Sequence, residues 1–166
     1  SQLLVMALKG VPAFYLPALL ASENDIKSFA MTGQRRDLNR EKFKLDNLLS
    51  VLNNPESNAN KNLKYLRNAM DVRSNLKQFH PSSEMKCLSK GRSDIVVIKR
   101  SKGPKSVFAI HNMTENKINY QLNDNDLPKI IDNDFNTQDF LTSTKYNWKN
   151  ISLDPFQVIW LGSLMK

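Results

Sequence analysis

Few side chains in this sequence have the types and spacing that chemistry needs. There is one thiol, Cys87, and there are two histidines, His80 and His111. Those three do not supply a metal cluster, and a lone thiol builds no disulfide framework. Cys87 reads as a small buried or half-buried hydrophobe in a reducing setting. His80, beside Pro81 at a helix end, reads as structural. His111, inside a β segment, is assigned no function. The cations are more suggestive. Arg35, Arg36, Arg40, Lys42 and Lys44 form one cluster, interrupted by Asp37 and Glu41, and Lys99, Arg100, Lys102 and Lys105 form a second in a hairpin.

With a net charge of +8, such clusters raise the question of nucleic acid. The charge is spread along the chain, however, and exposed aromatics interleaved with the cations are missing. Both clusters therefore read as solvated surface. Hydrophobic residues make up 40% and charged residues 24%, which places the chain among globular proteins.

The elements that must position these residues change character along the chain. The opening SQLLVMALKGVPAFYLPALLAS is apolar over about one membrane span, but Lys9, Gly10, Pro12 and Pro17 break it, and no basic segment precedes it as in a signal peptide. Residues 2–8 read as a helix end and Val11 to Leu16 as a short, fully buried strand, with Tyr15 packed inside. A long polar loop follows to Arg40. A helix is predicted over about 40–52, with Asn39 as its cap and Leu45, Leu48, Leu49 and Leu52 on one face. A second runs over about 60–79, capped by Asn58 or Asn60 and ended by His80-Pro81. Beyond that, 94–100, 106–113, 117–122, FLTS (140–143) and FQVIWLG (156–162) read as strands, with SKGP as a turn and 123–136 as a loop. The fold class is thus α+β: an α-rich part over 1–81 and an antiparallel β domain over 82–166.

Three segments together carry a family resemblance. GVPAFYLPALLASENDI supplies Gly10, Val11, Pro12, Tyr15, Leu19, Leu20, Asn24 and Asp25. TGQRRDLNREKF supplies Thr32, Gly33, Arg36, Leu38, Asn39 and Arg40. The helix pattern Leu66 to Arg73 leads into Phe79-His80-Pro81, and Pro155-Phe156 precedes the last apolar run. In this combination the chain resembles the C-terminal part of the sucrose phosphorylase branch of the α-amylase family, closer to its glucosylglycerate phosphorylase-like members. Residues 123–150 match nothing in that pattern.

The resemblance implies that 1–81 is the last βα unit of a (β/α)8 barrel, with strand eight, a long loop and two helices. It implies a retaining transfer of an α-glucosyl unit from sucrose or glucosylglycerate to phosphate. Such chemistry needs two close carboxylates, one nucleophile and one acid–base. In the family they follow earlier barrel strands, so none is assigned in this chain, and the chain alone is expected to be inactive. What it can supply is the sugar-contacting rim at the strand ends. By resemblance Arg40, then Arg36, with Asn39 and Asp25, would bind substrate, since the guanidinium fork holds carboxylate and hydroxyl oxygens together.

The implied partners are the sugar, phosphate and the upstream barrel of the same protein, with no nucleic acid, membrane, metal or cofactor, in the cytoplasm. Two other classes compete. Trp148 with Tyr146 in a polar loop would suit a non-catalytic carbohydrate-binding domain, Trp160 being core. Less favoured is a basic nucleic-acid-binding module.

Overall fold

A computed structural model describes residues 1–127 and 137–163. Five helices come first: α1 (Gln2–Ala7), α2 (Leu16–Leu19), α3 (Ile26–Thr32), α4 (Leu45–Asn53) and α5 (Asn58–Asn75). Short 3-10 turns lie at Arg35–Asn39 and Lys77–Phe79. Then come β1 (Glu84–Cys87), β2 (Ile95–Lys102), β3 (Lys105–Asn112), β4 (Ile118–Tyr120), β5 (Thr137–Asp139), β6 (Ile151–Leu153) and β7 (Val158–Ser163). Every described strand follows residue 82, so the passage from helices to antiparallel sheet falls where the sequence pattern changes. By contact the chain forms two compact units, Ala13–Asn68 and a second that joins Ser1–Pro12 to Ala69–Lys166.

In the second unit a five-stranded antiparallel sheet runs β1-β2-β3-β7-β5, and β4 pairs with β6 in a two-stranded sheet. The β2–β3 hairpin turns on Gly103-Pro104, where Gly103 takes φ +58°, a value that a residue with a Cβ rarely adopts. Alternation sorts the side chains onto two faces. Ile95, Val97, Phe108, Ile110, Ile159 and Leu161 form one core with Leu122, Trp148, Ile151 and Leu153. On the other face the cross-strand rows Ile98–Ala109–Trp160 and Arg100–Val107 meet α1 and the Lys77–Phe79 turn. There Phe79 lies 4.7 Å from the Trp160 ring at a tilt of 47°. Two-sided cover explains why Ser106 to Asn112 are all buried.

Two arginines tie this face to α1. Arg100 is completely buried, whereas the sequence pattern of its basic cluster predicts solvated surface. Its Nη1 donates to the carbonyls of Ala7 (3.1 Å) and Leu8 (2.7 Å), its Nη2 to His80 (2.9 Å) and its Nε to Glu84 (3.3 Å). Arg73 donates from Nε to Met6 and from Nη2 to Gly10, both at 2.9 Å. Both guanidinium groups lie about the Phe79 ring, at 5.9 and 5.7 Å from its centroid. Helices leave their last carbonyls without partners, and α1 gives those of Met6 and Ala7 to the arginines. Burial pushes both guanidinium pKa values down, and Arg73 repels Arg100 further.

In the first unit, asparagine amides take up loose helix ends. Asn62 Nδ2 donates to the carbonyls of Ala18 (3.2 Å) and Leu19 (2.8 Å), and Asn60 Nδ2 to that of Leu52 (2.6 Å). The cap of α5 is Ser57, whose Oγ accepts from the Asn60 amide at 3.1 Å, rather than Asn58 or Asn60. α4 starts at Leu45, after Lys44, so Asn39 is no cap. It ends the 3-10 turn instead. The face expected to be buried on α4 is half covered, with Leu45 and Leu49 exposed.

Other expectations are corrected. Val11 to Leu16 pairs with no described segment and is no buried strand: Val11 is 82% and Tyr15 53% exposed, and α2 begins at Leu16. Pro12 has no N–H to give a ladder, and all the described strands lie beyond residue 83. FLTS is a turn, because the pairing strand β5 lies just before it. Cys87 is exposed, because β1 is an edge strand whose four residues are all uncovered. Trp148 is buried in the core and forms no open platform. The predicted loop at 123–136 begins with a 3-10 turn at Asp124–Asp126, and 128–136 lie outside the described residues.

The Arg100→Met variant should lose about 3–5 kcal/mol of stability, since four carbonyls, that of Ala7 buried and the others partly so, lose their charged donor. Arg100→Lys should recover only part, lacking the fork; urea unfolding midpoints measure both. His111 gives a pH signature. Buried in β3 with Nε2 unpartnered, it has its pKa pushed down to about 4 from 6.5. Its stability contribution is complete above pH 6.5 and falls away as the pH drops towards 4, because only the unfolded chain binds the proton there. The loss should total about 3 kcal/mol, and His111→Leu should flatten the stability profile over that range.

Candidate functional site

The residues singled out by the sequence fall in one closed loop of the first unit, from Asn24 to Arg40. Asp25 starts it by capping α3: Oδ1 accepts from the Ser28 amide at 2.9 Å and Oδ2 from Ser28 Oγ at 2.5 Å. These bonds, the side-chain one foremost, hold its pKa below the ordinary 3.8. α3 stops at Gly33, whose φ of +67° and N–H bond to the Phe29 carbonyl make a left-handed helix end. The chain then turns back through Arg35–Asn39. The Asp25 amide donates to the Leu38 carbonyl at 2.7 Å and closes the loop.

Within it Thr32 Oγ1 donates to Asp37 Oδ2 at 2.7 Å, and the Gln34 amide donates to the same hydroxyl at 3.2 Å. This Thr32–Asp37 pair went unread in the sequence. Its signal is the hydroxyl five residues before the acid, at the two ends of a glycine turn. Arg36 is exposed, with Nε 3.9 Å from Asp37 Oδ1. Asn39 and Arg40 are exposed, and their side chains make no hydrogen bond among the described residues. So the structure brings Asp25, Arg36, Asn39 and Arg40 into one loop but divides their work. Asp25 is committed to the fold, and Arg36, Asn39 and Arg40 present free donors.

Just past Arg40 a cavity of about 430 Å³ opens where Ala21 and Ser22 face Glu41, Phe43, Asn47 and Asn58. Ala21 sits at φ +51°, an uncommon conformation for a residue with a Cβ. Lys42, Lys44 and the apolar side chains of Leu20, Leu48, Val51 and Ala59 complete its lining. Sequence reading missed these residues because they come together from three separate elements. Among the described residues, no three or more His, Cys, Asp or Glu side chains are grouped to hold a metal, and no helix is long and apolar enough to cross a membrane.

Solved structures share the fold. A trehalose-6-phosphate hydrolase from Bacillus licheniformis superposes with a TM-score of 0.71 over 98% of this chain and 38% of its own, at 14% identity. A maltotriose complex of the AmyP E221Q variant gives 0.73 over 98% and 33%, at 18% identity. The chain thus shares the fold of part of these α-amylase-type enzymes. In sequence it is related to the glucosylglycerate phosphorylases, as its motifs imply. It is 30% identical to that of Allomeiothermus silvanus over 69% of this chain and 20% of the relative, and 21% identical to that of Escherichia coli over 97% and 27%. It spans about a fifth to a quarter of the length of these relatives. No family model matches it.

Asp25→Ala should speed amide exchange at Ser28 and loosen α3, whereas Asp25→Asn, which can still accept, should protect the amide in part. In the unmodified protein that protection should hold above about pH 4 and fade below, as the carboxylate takes up a proton. Exchange followed by NMR across pH 2.5–6 checks both.

Proposed function

We propose that this chain is the C-terminal portion of a retaining α-glucosyl phosphorylase: the end of its (β/α)8 barrel and the β domain that follows. The parent enzyme would move an α-glucosyl unit from glucosylglycerate or sucrose to phosphate, releasing α-glucose 1-phosphate in the cytoplasm. The 30% identity to a glucosylglycerate phosphorylase carries the reading.

Neither acid of the Asn24–Arg40 loop, nor the buried Asp139, is free for this chemistry, which supports reacting carboxylates supplied from elsewhere in the protein. Retention needs one free carboxylate to attack the anomeric carbon and a second to protonate the leaving oxygen, then deprotonate the acceptor. Here Asp25 caps a helix and Asp37 is held by Thr32. Asp139 is fully buried, accepting from the Leu141 and Trp160 amides and from Thr142 Oγ1. The exposed apolar side chains Val11, Tyr15 and Leu16 are surface that neighbouring barrel strands would cover. Arg40 and Arg36 would then reach the bound sugar, their guanidinium forks binding hydroxyls and an upstream carboxylate. The burial of Trp148 weighs against a carbohydrate-binding platform on the β domain.

Phosphate-dependent release of glucose 1-phosphate, from glucosylglycerate and from sucrose, tests the reading on this chain and on the product of its complete reading frame. Activity is expected in the latter alone, with Arg40→Ala raising KM at least about tenfold, the loss of one charge-assisted contact. Turnover by the 166-residue chain alone, or sugar release that ignores phosphate, would sink it.

A further inference from the structure

A cavity of about 510 Å³ opens in the second unit between the last turn of α5, the Lys77–Phe79 turn and the end of β2. Arg73, Lys77, His80 and Lys102 line it together with Ser74, and no carboxylate does. None of the four basic side chains forms an ion pair among the described residues; the five pairs found there use other groups. Arg73 uses Nε and one terminal nitrogen on the carbonyls of Met6 and Gly10, which fixes its guanidinium, while the other terminal nitrogen makes no hydrogen bond among the described residues. Arg100 lies against the same Phe79 ring and adds a further buried positive charge.

Magnitudes decide the sign of the field. The C-terminal end of α5 contributes roughly half a negative charge. Against it stand three full positive charges lining the hollow and the buried Arg100. Like charges gathered in this way destabilise the fold unless a counter-charge completes them.

We propose that this cavity binds a phosphoryl dianion, either inorganic phosphate or the phosphate of a small phosphorylated molecule. A dianion with three acceptor oxygens matches donors mounted separately on a helix end, a turn and a strand end, with one arginine already fixed in place. Nucleic acid fits less well. The cations surround a hollow instead of following a stripe, and the aromatic side chain in the lining, Phe79, is fully buried and offers no face for stacking. The inference stands on this cavity and is independent of the function proposed above.

Calorimetric titration and thermal unfolding of the intact protein test it, with inorganic phosphate, glucose 6-phosphate, glucose and, at matched ionic strength, sodium chloride. Lys77→Ala/Lys102→Ala removes two exposed cations without touching the core, and Lys64→Ala, on an exposed face of α5, serves as control. Phosphate or glucose 6-phosphate should bind and raise Tm, glucose and chloride should not, and the double variant should weaken binding at least tenfold while Lys64→Ala leaves it unchanged. Tighter binding of glucose 6-phosphate assigns the site to a phosphorylated molecule, and equal affinities assign it to phosphate itself. Undiminished binding in the double variant, an equal response to chloride, or a single-stranded oligonucleotide binding more tightly than either phosphate would overturn the proposal.

Discussion

Arg100 and Arg73, both donating to the carbonyls at the end of α1, are the constraint on which the β-rich unit depends. A buried guanidinium without a carboxylate costs several kcal/mol in lost hydration. Here that cost is met by carbonyl oxygens which would themselves lack partners at the end of a short helix. Four hydrogen bonds from Arg100 and two from Arg73, charge-assisted at about 1.5–3 kcal/mol each, are of the size needed to offset it. The arginines come from positions 73 and 100 and their acceptors from 6 to 10, with His80 and Glu84 also bonded. The network therefore pins together segments far apart in the chain, through the Phe79 ring that both guanidinium groups flank.

The rest of the unit follows from that anchor. With α1 and the Lys77–Phe79 turn held on one face of the sheet, and β4, β6 and Trp148 on the other, β3 and β7 are enclosed on both sides. Their sequences SVFAIHN and VIWLG accordingly carry little polarity. The polar groups that remain inside are put to work. Asn112 Nδ2 donates to the carbonyls of Asn116 and Asp154, and its Oδ1 accepts from Thr114, which fixes the turn out of β3. Asp139 gathers two backbone amides and one hydroxyl where β5 meets β7. Two are left over among the described residues: Trp160 Nε1 and His111 Nε2 have no partner, and of these only the buried imidazole can take up a proton, so acid acts there.

The loop from Asn24 to Arg40 shows a different economy. Its scaffold is short polar chemistry, with Asp25 on Ser28, Thr32 on Asp37 and the Asp25 amide on Leu38, while among its outward residues Arg36 meets Asp37 at 3.9 Å and Asn39 and Arg40 make no side-chain hydrogen bond among the described residues. Rigid support under free cations and amides is what a ligand-binding rim requires. It gives the sequence motif of this loop a physical content: some of its residues build the loop and others are displayed by it.

From the sequence alone the order of helices before antiparallel strands was legible, because a 3.6-residue apolar period gives way to alternation after Pro81. The central hairpin and the last strand were legible too, since runs such as DIVVIKR and SVFAIHN are apolar and flanked by a glycine-proline turn. The family resemblance and the grouping of Arg36, Asn39 and Arg40 were readable as well, being local in the chain. Tertiary structure decided the rest. Period and propensity cannot say that Arg100, one of four cations around a hairpin, is the buried one, because that depends on α1 arriving from ninety positions away to offer carbonyls. Nor can they show that Val11 to Leu16 pairs with no described segment or that Cys87 lies on an uncovered edge, since a strand exists only where another backbone is placed to bond with it. The hollow lined by Arg73, Lys77, His80 and Lys102 was hidden for the same reason: it is made by a helix end, a turn and a strand end meeting in space.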